Sequence, residues 1–194
     1  MMHHKINSDV VRRLNLCRIA ALDLGMSRKA VLLAVDVPTQ MLCMISDGQI
    51  DESFPVSTSQ NGLGEQENSY KTPRGFHEVS ERFGESLPAG AVLEARRFTG
   101  NVLPPDRWSE PEGDKILTRI LRLTGRVPGF NAFGSVDSFA RMIYLHGTNQ
   151  EQFVGVKPAS KGCIRMKNND IITLFNDVAD TPVWCWIGSL ADEY

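Results

Sequence analysis

No Cys-x-x-Cys pair occurs anywhere in this 194-residue chain; its four cysteines, Cys17, Cys43, Cys163 and Cys185, stand far apart. A structural zinc site is therefore not expected. A chain of this length buries roughly 70% of its unfolded surface, so it needs no disulfide to hold a core. The spacing nevertheless leaves a disulfide open. Positive charge is not in excess either: 21 Lys and Arg stand against 23 Asp and Glu, a net charge of −2. That excludes the strongly basic footprint of a nucleic-acid-binding protein. No apolar run approaches the ~18 residues that span a bilayer. Charges at Lys5, Asp9, Arg12, Arg13, Arg18 and Asp23 break up any signal-peptide stretch near the start. His3 and His4 are too few to distinguish a natural pair from an added tag. With no internal repeat, low-complexity stretch or evident linker, one main domain is expected over 30–194, preceded by a helical extension over 1–29.

What the chain does carry is short-period apolar patterning. Val10, Leu14, Cys17, Ala21 and Leu24 recur at helical spacing, with Ser8 as a candidate cap and Gly25 as a candidate stop. The pattern then changes to strands. Val31–Val37, Met41–Ser46 and Gln49–Ser57 are predicted, the last two joined by an Asp47-Gly48 hairpin turn. Residues 58–71 are expected to be loop. Further strands are expected over 76–83, Ala91–Phe98, Ile116–Leu123 and Arg141–His146, the last ending on its histidine. Residues 100–114 hold Gly100, Pro104, Pro105, Pro111 and Gly113 and are expected to form a long irregular excursion, often a functional element in a compact domain. A helix over 170–178, capped by Asn168 or Asn169, and a strand over Pro182–Ile187, with Trp184 and Trp186 on one side, complete the chain. Many short strands with few helices predict a mainly β fold, a mostly antiparallel sandwich or barrel-like sheet.

Two glycine-flanked clusters carry chemistry. The first is Tyr144-Leu145-His146-Gly147-Thr148-Asn149; the second is Ser160-Lys161-Gly162-Cys163-Ile164-Arg165-Met166. A cysteine becomes a good nucleophile as thiolate, which requires a base or a nearby cation. Here one cluster offers the nucleophile and the other the base. Lys157, Lys161, Arg165 and Lys167 surround Cys163 in sequence with no acid between them, either a solvated basic loop or a cationic site for a carboxylate-bearing substrate that would also favour the thiolate. Backbone N–H groups in the tight Lys161-Gly162-Cys163 turn are candidates for an oxyanion hole. The group that orients the histidine is not identified by the sequence; a backbone carbonyl would serve as well as a side chain. Cys43 and Cys185 lie in apolar runs and are expected to be small core residues.

These clusters, with Phe54-Pro55-Val56-Ser57 and Thr72-Pro73-Arg74-Gly75 upstream, resemble the L,D-transpeptidase (YkuD) family over roughly residues 30–188. The resemblance implies an L,D-transpeptidase-like β-sandwich of mixed and antiparallel sheets, with an N-terminal helix and a short helix after the catalytic cysteine. It implies Cys163 as nucleophile and His146 as general base, with Gly147, Lys161 and Gly162 framing the oxyanion turn. It further implies Thr72, Ser160 and Arg165 on the substrate side, Arg165 either holding a carboxylate or bracing the loop through a salt bridge. Many members carry histidine where this chain has Lys161, whose ammonium is a point cation and no imidazole-like acceptor.

The implied reaction is transfer of a peptidoglycan stem tetrapeptide through an acyl-enzyme. The thiolate attacks the carbonyl of the third residue, terminal D-alanine leaves, and an amine of another stem or of a lipoprotein takes the acyl group. The resemblance implies no metal and no organic cofactor, and carbapenems as acylating agents. Water as acceptor would make an L,D-carboxypeptidase. A cysteine amidase acting on stems or wall-anchored protein, a noncatalytic wall-binding module, and a cytoplasmic acyltransferase on the same fold are the other readings. The implied place is the cell envelope or periplasm, although no signal peptide is visible; oligomeric state is not set by the sequence.

Overall fold

A computed structural model describes residues 8–110 and 113–191. His3, His4 and Pro111 lie outside the described residues. Helix α1, Ser8–Asp23, closes where Gly25 stands. The Met26 N–H donates to the Ala21 carbonyl at 2.9 Å and the Gly25 N–H to Leu22 at 3.0 Å, a paired capping arrangement that satisfies two terminal carbonyls. Ten strands follow: β1 Val31–Asp36, β2 Met41–Ser46, β3 Gln49–Pro55, β4 Gly75–Phe83, β5 Ala91–Glu94, β6 Arg97–Val102, β7 Ile116–Gly125, β8 Tyr144–Thr148, β9 Ile164–Met166 and β10 Val183–Gly188. Helix α2, Asn168–Asp177, lies between the last two.

Hydrogen bonds run through the strands in the order β3-β2-β1-β10-β4-β7-β5-β6, with β8 on β7 and β9 on β8. Only β1/β10 and β8/β9 are parallel; the other pairs are antiparallel. The mixed sheet closes over one core. Val31, Leu33, Val35, Leu42, Cys185 and Ile187 meet Leu121, Leu145, Ile164 and Met166, with Ile171, Leu174 and Phe175 of α2 between them. Because side chains alternate along a strand, Leu32, Ala34, Trp184 and Trp186 face the other way. There they pack with Leu14, Cys17 and Ala21, so α1 covers the back of the sheet.

The Asp47-Gly48 turn forms as expected, both residues at positive φ (46° and 78°), the backbone a two-residue hairpin needs. Three expectations are corrected. Ala91–Phe98 is not one strand: Ala95 and Arg96, at φ 45° and 66°, turn the chain back as the β5–β6 hairpin, and β6 extends to Val102, into the stretch expected to be irregular. The strand carrying His146 begins at Tyr144 and runs on to Thr148, since the three residues before it form a tight turn with Met142 at φ 57°. Cys43 is only partly buried and lines a surface groove near Asp36 and Val10. No described helix is long and apolar enough to cross a membrane.

Candidate active site

β8 and β9 bring the two clusters together. Their parallel register sets Leu145 opposite Ile164, His146 opposite Arg165 and Gly147 opposite Met166. Period-two alternation sends Leu145, Ile164 and Met166 into the core. His146 and Arg165 therefore take the opposite face, and there Tyr144, Ile120 and Leu93 form a small cluster against which Cys163 packs. Cys163 precedes β9 by one residue, and its S–H donates to the Met142 carbonyl at 3.4 Å.

His146 is 3% exposed. Its Nδ1 lies 2.7 Å from the Gly147 carbonyl. A carbonyl only accepts, so Nδ1 carries the proton and Nε2 is left with its lone pair. The orienting group that the sequence left open is thus a backbone carbonyl. Burial pushes the His146 pKa down to about 4; the Gly147 bond and Asp114 oppose that, and Arg165 adds to it. Cys163 keeps a partial opening to solvent, yet crowding by protein atoms pushes its thiol up to about 11. Asp114 adds to the rise, while a backbone hydrogen bond from Tyr144 and the charges of Arg165 and Arg141 oppose it. Around neutral pH the two groups are therefore a thiol and a neutral imidazole. Cations do favour the thiolate, but burial outweighs them, and they are Arg165 and Arg141 rather than Lys161.

The turn before Cys163 is held by two hydroxyls. The Thr72 hydroxyl donates to the Gly162 carbonyl at 2.9 Å and accepts the Ser59 N–H at 3.0 Å. The Ser160 hydroxyl donates to the Cys163 carbonyl at 2.6 Å and accepts the Gly162 N–H at 3.2 Å. Gly162 adopts φ 127°, a conformation that side chains disfavour. In a planar trans peptide N–H and C=O point oppositely, so the Thr72 tether on the Gly162 carbonyl aims the Cys163 N–H away from Thr72. The Gly162 N–H, by contrast, is already engaged by Ser160. Gly147 leaves no room for a side chain: an added Cβ would stand 2.5 Å from Asn168 Oδ1 and 2.7 Å from the Leu117 carbonyl.

Arg165, 2% exposed, is committed within the protein. It pairs with Asp114 at 2.6 Å and donates to Gln150 Oε1 at 2.7 Å, while its Nε has no partner. Of the four cations near Cys163 in sequence, Lys157, Lys161 and Lys167 are exposed, and the Lys157 Nζ stands 4.5 Å from the centre of the Phe153 ring. Lys157 and Lys161 line a cavity of about 370 Å³ with Gln60, Asp114, Gln150 and Arg165. Lys161 also borders a second cavity of about 200 Å³ beside Tyr70, Arg141 and Ile143. A larger apolar groove between α1 and β2 lies apart from these residues.

Sequence reasoning missed Asp114, Arg141 and Asn168. Asp114 sits in the excursion singled out by its prolines and glycines, but no local pattern pairs it with Arg165. The sequence makes Asn168 a candidate helix cap. Instead its buried side chain donates to the Thr148 carbonyl at 2.9 Å and to Glu151 at 2.7 Å, bracing the end of β8 against α2. Among the described residues no group of three or more His, Cys, Asp or Glu side chains is gathered to hold a metal.

The sequence matches the model of the YkuD family, described as an L,D-transpeptidase catalytic domain, over residues 30–185. A segment of 56 residues is 43% identical to YqjB of Bacillus subtilis, covering 29% of this chain and 30% of that protein. Among solved structures, an L,D-transpeptidase from Mycobacterium smegmatis aligns at 19% identity and a TM-score of 0.49, over 82% of this chain and 58% of that one. An L,D-transpeptidase from Xylanimonas cellulosilytica aligns at 18% identity and a TM-score of 0.45, over 88% and 68%. The chain thus spans less than two thirds of YqjB and of the mycobacterial protein. The match over 30–185 carries the family assignment; the structural likenesses, under 25% identity and 0.5 in TM-score, add nothing to it.

Proposed function

The chain belongs to the YkuD family of L,D-transpeptidase catalytic domains, and we propose that it is a peptidoglycan L,D-transpeptidase that works through a cysteine acyl-enzyme. The observation that carries this reading is the Nδ1–H of His146 held on the Gly147 carbonyl. It leaves Nε2 basic, on the strand that pairs directly with the one leading from Cys163.

In this mechanism the Cys163 proton passes to His146 Nε2 as the sulfur attacks the carbonyl carbon of the third stem residue. Burial disfavours a resting ion pair, so charge separates only when the substrate supplies an electrophile. The oxyanion takes a hydrogen bond from the Cys163 N–H, the donor that the Thr72 tether aims. Collapse breaks the peptide bond, and the departing D-alanine amine takes the proton from His146. An acceptor amine then attacks the thioester, gives its proton to Nε2, and the thiol is reprotonated as the new amide forms.

Thr72 and Ser160 serve this scheme by fixing the turn, and Gly147 serves through its carbonyl. Arg165, neutralised by Asp114, braces the site. Lys161 and Lys157 are the cations placed to meet a substrate carboxylate in the 370 Å³ cavity. The substrate places the enzyme in the cell envelope; cell fractionation that finds the native protein only in the cytoplasm would favour acyl transfer to another substrate.

The test is product analysis. Incubated with a disaccharide-tetrapeptide, the protein is expected to release D-alanine and form a cross-linked dimer, seen by liquid chromatography and mass spectrometry. D-alanine with tripeptide and no dimer would assign an L,D-carboxypeptidase. No D-alanine at all would remove both readings.

A further inference from the structure

Four cations of the segments around Cys163 differ in how they are held. Arg165 is neutralised by Asp114 at 2.6 Å. Arg74 is paired with Glu65 at 2.7 Å. Lys157 stacks on Phe153. Arg141 is held by carbonyls alone. Its Nη1 donates to Gly64 at 3.2 Å and Glu65 at 2.6 Å, and its Nη2 donates to Lys71 at 2.6 Å. Among the described residues no carboxylate lies within 4.0 Å of it. Carbonyl dipoles satisfy N–H groups but do not cancel a unit charge.

Arg141 also stands next to the reacting atoms in the chain. Met142, its neighbour, accepts the Cys163 S–H. Lys71, whose carbonyl it holds, adjoins Thr72, which tethers the Gly162 carbonyl. That same Lys71 carbonyl lies 3.4 Å from where a Gly162 side chain would begin. One guanidinium thus joins the 64–71 loop, the 138–143 turn and the wall of the 200 Å³ cavity that Lys161 completes.

We infer that Arg141 is a positioning residue for the acyl transfer: it clamps the 64–71 loop beside the nucleophile and, with Glu65 and Glu67 facing it at longer range, supplies positive charge that favours the Cys163 thiolate. This rests on Cys163 being the nucleophile. The sulfur and the guanidinium act on each other in the matching sense, the cation favouring the thiolate and the thiolate favouring the cation. The other groups around the sulfur are His146 and Tyr144 from β8, Arg165 from β9, Asp114 from the segment before β7, and Lys161 from the turn. Arg165 and Asp114 act on Cys163 with opposite signs. Tyr144 is engaged through its hydroxyl by Arg96 at 3.0 Å, and Glu67 shares the cavity with Arg141.

The test is the pH dependence of Cys163 alkylation by iodoacetamide, read at the Cys163 peptide by mass spectrometry so that Cys43 does not interfere. Arg141→Gln is expected to raise the midpoint by about one pH unit, which lowers the rate about tenfold below it. Arg141→Lys keeps the charge at about pH 8–9, below the ordinary lysine value, but not the three-carbonyl clamp, and there it is expected to alkylate at the wild-type rate. A wild-type rate at about pH 8–9 in Arg141→Gln, or an equal fall in both variants, overturns the inference. Should Arg141→Gln not fold, Arg141→Lys decides through its own titration. Its rate is expected to match wild type at about pH 8–9 and to fall below it above about 10.4, where lysine loses its charge; a wild-type rate across that whole range overturns the inference. Alkylation needs no peptidoglycan, so failure here is separable from failure of the transpeptidase reading in the product assay.

Discussion

His146 and Cys163 reach neutral pH uncharged for the same reason: protein atoms surround both, and burial disfavours whichever form carries charge. The sign of the resulting pH dependence follows. His146 protonates only as pH falls toward about 4, and the thiol ionises only as pH rises toward about 11. In the proposed mechanism the base is therefore available, and the nucleophile retains its transferable proton, across the whole interval between. We predict that kcat/KM, which reports the free enzyme, is flat through the pH range around 6.5 where an ordinary histidine titrates (~6.5), with its acid limb well below. An acid limb centred at that ordinary value would show that His146 is either exposed in solution or not the base. Arg165 belongs to the same scale. The sequence offers carboxylate capture and loop bracing with equal warrant, and the 2.6 Å pair with Asp114 engages the guanidinium within the protein.

At the scale of elements, the site depends on how closely β8 sits against its neighbours. Gly147 is the point of closest approach, between the Leu117 carbonyl on β7 and Asn168 at the start of α2. Gly147→Ala is expected to cost about 1–3 kcal/mol, the usual penalty for overpacking, measured by urea denaturation. It is also expected to reduce turnover, because the carbonyl that orients His146 belongs to the displaced residue. Wild-type stability and turnover together would contradict this packing. The elements were largely visible beforehand where apolar period and turn chemistry agreed: β1, β2, the Asp47-Gly48 hairpin, β10 and α2 follow their patterns closely. The failures share a cause. Ala95, Arg96 and Met142 hold positive φ without glycine, and tertiary contacts impose that backbone on residues carrying no turn signature. The β5–β6 hairpin was hence merged into one strand, and the start of β8 was placed too early.

For the whole molecule, one sheet folded over one core sets the two chemical clusters on the face away from that core, while α1 seals the back of β1 and β10. The two clusters that carry the proposed nucleophile and base are legible because each motif is local, a few residues long and glycine-flanked. Their surroundings were not legible. Asp114 and Arg141 reach the site from two separate segments, and only the closed fold brings them there. The account's central claim is that Cys163 forms a covalent acyl-enzyme. Intact-mass spectrometry after incubation with a carbapenem, and separately with a disaccharide-tetrapeptide, tests it most directly. The account predicts a stoichiometric carbapenem adduct that maps to Cys163 and vanishes in Cys163→Ala; an adduct that persists in Cys163→Ala, or none on the wild-type protein with either compound, would contradict it.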